Sequence, residues 1–212
     1  MNVRTTIVFS SLALIYLATL PLTPYVAQFL PKALPIVVLA VFAYTKLSAM
    51  PRYMVLAALL FSLAGDVSLA LPFADSFITG LACFFVAHLT YAMCFALLHR
   101  RLQETPGDHI ISRKPKWFIS IIMISFAVMM AVHILPASKA LFYPVVAYIG
   151  VITLMGLTAV WLAQTKLIVT GALLFVISDA ILAQSVFKTP LPLSTFWVMT
   201  TYYAAQYCLT KG

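Results

Sequence analysis

Charge and proline enter this chain almost only as punctuation between apolar stretches about as long as a bilayer is thick. Apolar runs fall near residues 5–25, 33–49, 53–71, 76–98, 117–135, 140–162, 167–187 and 194–210. A helix rising ~1.5 Å per residue needs roughly 20 such residues to cross ~30 Å of hydrocarbon. The breaks carry turn or charge signals: Pro24, Pro31 and Lys32; Met50-Pro51-Arg52; Pro72; Arg100 to Lys116; Pro136 to Lys139; Gln164 to Lys166; Lys188 to Pro192. With 64% hydrophobic and 8% charged residues there is no polar coat for a water-soluble surface. The expected fold is therefore all-α, an integral membrane bundle of about eight transmembrane helices forming a single domain over 1–212, with no soluble domain. The second run is short and the seventh is polar near its end, so seven spans is the alternative. The first run lacks a small-residue cleavage site and reads as a retained helix rather than a signal peptide.

Eight spans put both termini on one side, and the basic residues then sort themselves. That side collects Arg4, Lys46, Arg52, Arg100, Arg101, Arg113, Lys114, Lys116, Lys166 and Lys211, whereas the other holds Lys32, Lys139 and Lys188. The positive-inside rule makes the first side cytoplasmic, with both termini there. The net charge of +8 thus reads as topology and attraction to anionic headgroups, and not as a nucleic-acid surface. Brevity and short loops favour a bacterial inner (plasma) membrane.

A weak internal repeat suggests how the bundle is built. Ala58-Leu59-Leu60-Phe61 leads to Gly65-Asp66, and Ala172-Leu173-Leu174-Phe175 leads likewise to Ser178-Asp179. Earlier in each half, Lys32-Ala33-Leu34 before Pro35 echoes Lys139-Ala140-Leu141 before Pro144. Half-repeats over 1–99 and 117–212 would be a parallel four-plus-four duplication about an axis along the membrane normal. Chance matches in a chain rich in Ala, Leu and Phe are the competing explanation.

Asp66 and Asp179 are two of five acidic residues, and both lie inside apolar runs. A carboxylate in hydrocarbon costs a few kcal/mol unless it faces a cavity or a partner, so such a residue is a functional candidate. Asp66 follows Arg52 by fourteen residues and Asp179 follows Lys166 by thirteen, which places both roughly 20 Å from the cytoplasmic ends of their helices. Facing one cavity, two such carboxyls would tend to keep a proton on one and a charge on the other, an acid and a base. The competing structural reading is a protonated Asp bonded to backbone or to Ser62, four residues earlier on the same face.

The helix after each aspartate carries further polar groups. Phe84, His88, Tyr91 and Phe95 share one face of span four, and Tyr202, Tyr203 and Gln206 form a stripe on span eight. These can line the cavity of the acids, or serve only as interhelical hydrogen bonds and interface anchors. A zinc site is not expected: His99, His109 and His133 are scattered over loops or another helix, and no HExxH or CxxC occurs. Cys83, Cys94 and Cys208 lie in apolar spans and read as small hydrophobes. Neither a phosphate-cradling glycine loop nor a GxSxG elbow is present. No cofactor is expected.

Taken in order, Lys32 with Pro35, Gly65-Asp66, Gly80 with Ala87-His88-Leu89-Thr90-Tyr91, Ser178-Asp179, and Tyr203-Ala204-Ala205-Gln206 resemble the YhhN-like lysoplasmalogenase family of polytopic membrane proteins. The resemblance covers nearly the whole chain, with one departure, Ala33 where many members carry proline. It implies hydrolysis of the vinyl ether bond of lysoplasmalogens, 1-alkenyl lysoglycerophospholipids. The products would be a fatty aldehyde and glycerophosphoethanolamine or glycerophosphocholine. Vinyl ethers hydrolyse by proton transfer to carbon followed by water capture of an oxocarbenium ion, which suits an acid and base pair. On that basis Asp66 and Asp179 are the expected catalytic pair. His88, Tyr91, Tyr203 and Gln206 are expected to orient water or the glycerol backbone, and Lys32 to meet the phosphate near the non-cytoplasmic mouth. A proton-coupled transporter of lipid or a small molecule is the alternative that paired intramembrane acids also suit. Nothing in the residues speaks to headgroup, chain length or oligomeric state.

Overall fold

A computed structural model describes residues 3–25, 27–103, 113–163 and 165–212. His109, the remainder of the 104–112 segment and Gln164 lie outside the described residues. Among the described residues the structure is helical with no strand: α1 Val3–Thr19, α2 Phe29–Lys46, α3 Ala49–Ala70, α4 Ser76–Gln103, α5 Arg113–Ser138, α6 Phe142–Leu162, α7 Lys166–Phe187 and α8 Ser194–Lys211. Short 3-10 turns, Leu20–Leu22 and Lys139–Leu141, follow α1 and precede α6.

Among the described residues, six helical stretches are long and apolar enough to cross a membrane, and one of them, Pro115–Leu162, runs through most of α5 and all of α6. The chain is a multi-pass membrane protein. The last expected span is present as α8 but is not among those stretches, because Thr, Tyr and Gln interrupt its apolar sequence. Bilayer-facing surface is evident in outward Ile7, Leu14, Val41, Leu60, Phe118, Ile121, Val128 and Val132.

One expected break, Pro136, falls inside a helix, α5, as does Pro35 of the second apolar run in α2. Proline at such positions is tolerated in membrane helices because neighbouring helices and local adjustment satisfy the freed carbonyl. Pro31 and Pro51 occupy the first turns of α2 and α3, where an N–H has no intrahelical acceptor to lose.

The helices gather into two compact units, Met1–Thr90 and Tyr91–Gly212, with the boundary inside α4. In the first, α1 packs on α2 and α2 on α3 around Ile36, Leu39, Ala43, Ala58 and Leu59. Gly65 and Gly80 bring α3 and α4 together: a Cβ at Gly65 would lie 2.7 Å from the Phe84 ring, and one at Gly80 2.7 Å from Leu69. Close backbone approach through small residues is how helices associate where lipid is as apolar as the side chains. In the second unit α5 packs on α6, α6 on α7 and α7 on α8. Gly171 of α7 sits against α8, where an added Cβ would lie 2.9 Å from Cys208 Cβ and 3.0 Å from the Ala205 carbonyl oxygen. At one end of that unit Lys116 Nζ donates to the Trp161 carbonyl at 3.0 Å, Trp161 Nε1 donates to Ser120 Oγ at 2.9 Å, and Trp117 meets Trp161 edge-on.

Candidate active site

In the first unit, α2 and α3 form an antiparallel hairpin whose turn lies between Lys46 and Ala49. Lys32 lies 14 residues before the end of α2 and Asp66 17 after the start of α3, so at ~1.5 Å per residue the long lysine side chain has about 4.5 Å of height to bridge. Lys32 Nζ lies 3.2 Å from Asp66 Oδ1 and also donates to the Asp66 backbone carbonyl at 3.2 Å. Both side chains are buried, 11% and 3% exposed. The carboxylate is thereby matched by a positive charge, the condition under which ions persist in a dry interior. Lys32, expected at a phosphate, is thus placed on an aspartate.

His88 and Phe84 are buried on α4, as the spacing of that face anticipates. Tyr91, one turn beyond His88, begins the second unit and is fully buried together with Gln206 of α8. Its hydroxyl donates to Gln206 Oε1 at 2.7 Å, a buried bond inside the second unit. Tyr203 is buried beside Tyr202, which packs edge-on against Phe175 of α7. Ser178 of α7 donates to the Val198 carbonyl of α8 at 3.0 Å. The polar groups thus fix the α7 and α8 pairing as well as offering chemistry.

Asp179 is half-buried, and its partner is a residue the sequence reading missed. Tyr148 Oη on α6 donates to Asp179 Oδ2 at 2.5 Å. In the α6 and α7 hairpin Tyr148 lies 14 residues before Leu162 and Asp179 13 after Lys166, so the two stand nearly level. A signal for it was available, since a hydroxyl in mid-span must find a partner and the hairpin arithmetic names the level at which to look. Each acid thus has a polar partner on the neighbouring helix of its own hairpin, and the Tyr16 phenol of α1 also lies near Asp66.

Elsewhere His133 Nε2 and Gln184 Oε1 lie 2.9 Å apart between α5 and α7, on an exposed face. Among the described residues no three His, Cys, Asp or Glu side chains come together as a metal site requires.

Curated relatives carry the name lysoplasmalogenase. The human Lysoplasmalogenase TMEM86B is 38% identical over 184 residues, 85% of this chain and 73% of its own. The bovine Lysoplasmalogenase TMEM86A is 30% identical over 70% of this chain and 60% of its own length. The pig Lysoplasmalogenase TMEM86B is 34% identical over 70% of this chain and 58% of its own. No solved structure matches the chain. The model of the YhhN family matches residues 27–212, which takes in Lys32, Asp66, His88, Tyr91, Asp179, Tyr203 and Gln206; the chain belongs to the YhhN family.

Proposed function

We propose that this protein is a membrane lysoplasmalogenase, a hydrolase that cleaves the vinyl ether bond of 1-alkenyl lysoglycerophospholipids to a fatty aldehyde and glycerophosphoethanolamine or glycerophosphocholine. The observation that carries the reading is 38% identity over 85% of the chain to a protein named for that activity. In this reading Asp66 and Asp179 are the acid and base. One carboxyl gives its proton to the vinyl carbon, and the other takes a proton from the water that captures the resulting oxocarbenium ion. An anion near that cation stabilises it in a low dielectric. Lys32 beside Asp66 and Tyr148 beside Asp179 hold each carboxyl in place within its own helical hairpin. His88, Tyr91, Tyr203 and Gln206 orient water or the glycerol backbone. The protein works as a multi-pass protein of a bacterial inner membrane, with both termini cytoplasmic, an orientation that follows the bias of lysine and arginine.

The test uses protein purified in detergent, with no membrane potential, given lysoplasmenylethanolamine and assayed for aldehyde. D66N and D179N are each expected to lose ~100-fold or more of the rate, the scale of a lost general acid or base. Full activity in either removes that residue from the mechanism. Product formation without a sealed membrane also separates hydrolysis from transport.

A further inference from the structure

We propose that Lys139 and Lys188 form a phosphate-binding rim that takes the phosphodiester of the lysolipid headgroup while the vinyl ether lies beside Asp179. The inference rests on the lysoplasmalogenase reading and deepens it by assigning the headgroup subsite, with every residue of that subsite in the second compact unit.

A lysophospholipid carries an anion into its site, and a lysine ammonium is a compact charge suited to meet a phosphate. Of the three lysines sorted to the non-cytoplasmic side, Lys32 is taken up by Asp66, which leaves Lys139 and Lys188. Both are exposed, and among the described residues no carboxylate pairs with either ammonium. Tyr148 of α6 and Asp179 of α7 meet nearly level across an antiparallel hairpin. Lys139 precedes Tyr148 by nine residues and Lys188 follows Asp179 by nine. Both lysines therefore stand at the same end of the hairpin, about 14 Å along it from the Asp179 level.

That height suits the substrate. Seven bonds run from the vinyl carbon remote from the ether oxygen to the phosphorus, ~8 Å when extended, and a lysine stem reaches ~6 Å. Together they span the distance from the acid to the rim.

The backbone holds both lysines in place. Lys139 is left-handed, with φ 47°, a conformation that side chains other than glycine rarely adopt and that recurs at ligand clamps. Lys188 is the first residue beyond α7, and Gln184 fastens it from both sides. The Lys188 N–H donates to the Gln184 carbonyl at 3.1 Å, and Gln184 Nε2 donates to the Thr189 carbonyl at 3.1 Å. With its amide nitrogen so engaged, Gln184 accepts through Oε1 from His133 Nε2 of α5 at 2.9 Å. The turn that presents Lys188 is thus braced against α5 as well as α7.

The experiment measures KM and kcat in detergent for wild type, K139M, K188M, the double methionine variant and K139R/K188R. The substrates are lysoplasmenylethanolamine and 1-alkenylglycerol, which lacks the phosphate. With the phospholipid each methionine variant is expected to raise KM about 3- to 10-fold, and the double variant more. Their kcat is expected to stay within about twofold, as for binding shared by ground and transition states. With 1-alkenylglycerol the KM of every variant is expected to equal that of wild type. K139R/K188R is expected to keep the wild-type KM for the phospholipid, and added salt to raise that KM for the phospholipid alone. An uncleavable 1-alkyl lysophospholipid is expected to compete, less well in the double variant; competition by inorganic phosphate alone would mark a free-anion site and overturn the headgroup assignment. Methionine variants that keep the wild-type KM for the phospholipid, or raise it equally for 1-alkenylglycerol, overturn the inference, and aldehyde release by wild type then leaves the lysoplasmalogenase reading standing. Should thermal melts show the methionine variants unfolded, the salt series decides: a wild-type KM for the phospholipid that is indifferent to salt overturns the inference. Wild type that releases aldehyde from neither substrate sinks both.

Discussion

Replacing Lys32 with methionine removes an ammonium but keeps the length of the side chain, leaving the Asp66 carboxylate buried at 3% exposure. At 3.2 Å and an effective dielectric of ~20 the attraction between the two charges is about 5 kcal/mol before desolvation is counted. Breaking a buried pair from one side costs about 3–5 kcal/mol, because the remaining ion has lost the charge that compensated it. K32M is therefore expected to lower the free energy of unfolding in mixed dodecyl maltoside and SDS micelles by about that much, unless Asp66 takes up a proton and limits the loss. Adding D66N removes the stranded charge, so the K32M/D66N protein is expected to recover about 2 kcal/mol or more relative to the sum of the single losses. Aldehyde release is expected to fall in all three variants, since each removes the Asp66 carboxylate or the ammonium that holds it. Single-variant losses that add to within ~0.5 kcal/mol would show that the two groups do not interact, and would refute both the pair and its role.

Gly171→Ala places a methyl carbon 3.0 Å from the Ala205 carbonyl oxygen, a backbone atom that cannot turn aside, so α7 and α8 must separate. A loss of about 1–3 kcal/mol in the same micellar unfolding is expected, and an unchanged midpoint would contradict the contact. Gln206→Leu takes the acceptor from the buried Tyr91 hydroxyl and is expected to cost about 1–3 kcal/mol, with Y91F added to it restoring part of the loss. Failure of Y91F to restore any stability would mean that the hydroxyl is satisfied in other ways.

How far the sequence could be read follows from which constraints are local. Each apolar run is long enough to need a helix for its own backbone, so the helical elements, and the stripe of Phe84, His88, Tyr91 and Phe95, were legible from spacing alone. Pro136 was misread as a break because a proline's effect depends on what replaces its missing hydrogen bond, which is supplied from outside the helix. The pairing of Lys32 with Asp66 went unread for a related reason. Near the start of a span the lysine looks like an interfacial anchor, and only the level of its antiparallel neighbour shows that an aspartate is waiting. Tyr148 was missed because tyrosine is common in apolar spans and attracts notice only once a carboxyl lies opposite.

By itself the sequence determined that the chain lives in a bilayer, that its elements are helices, and that Asp66 and Asp179 are the residues to explain. Hydrocarbon enforces all three, because it supplies no partner for a bare peptide group or a lone charge. Tertiary structure decided which side chains meet each acid, Lys32 at Asp66 and Tyr148 at Asp179 among them. That choice depends on which side chains stand within reach across a helical hairpin, a relation between distant residues that no single helix encodes.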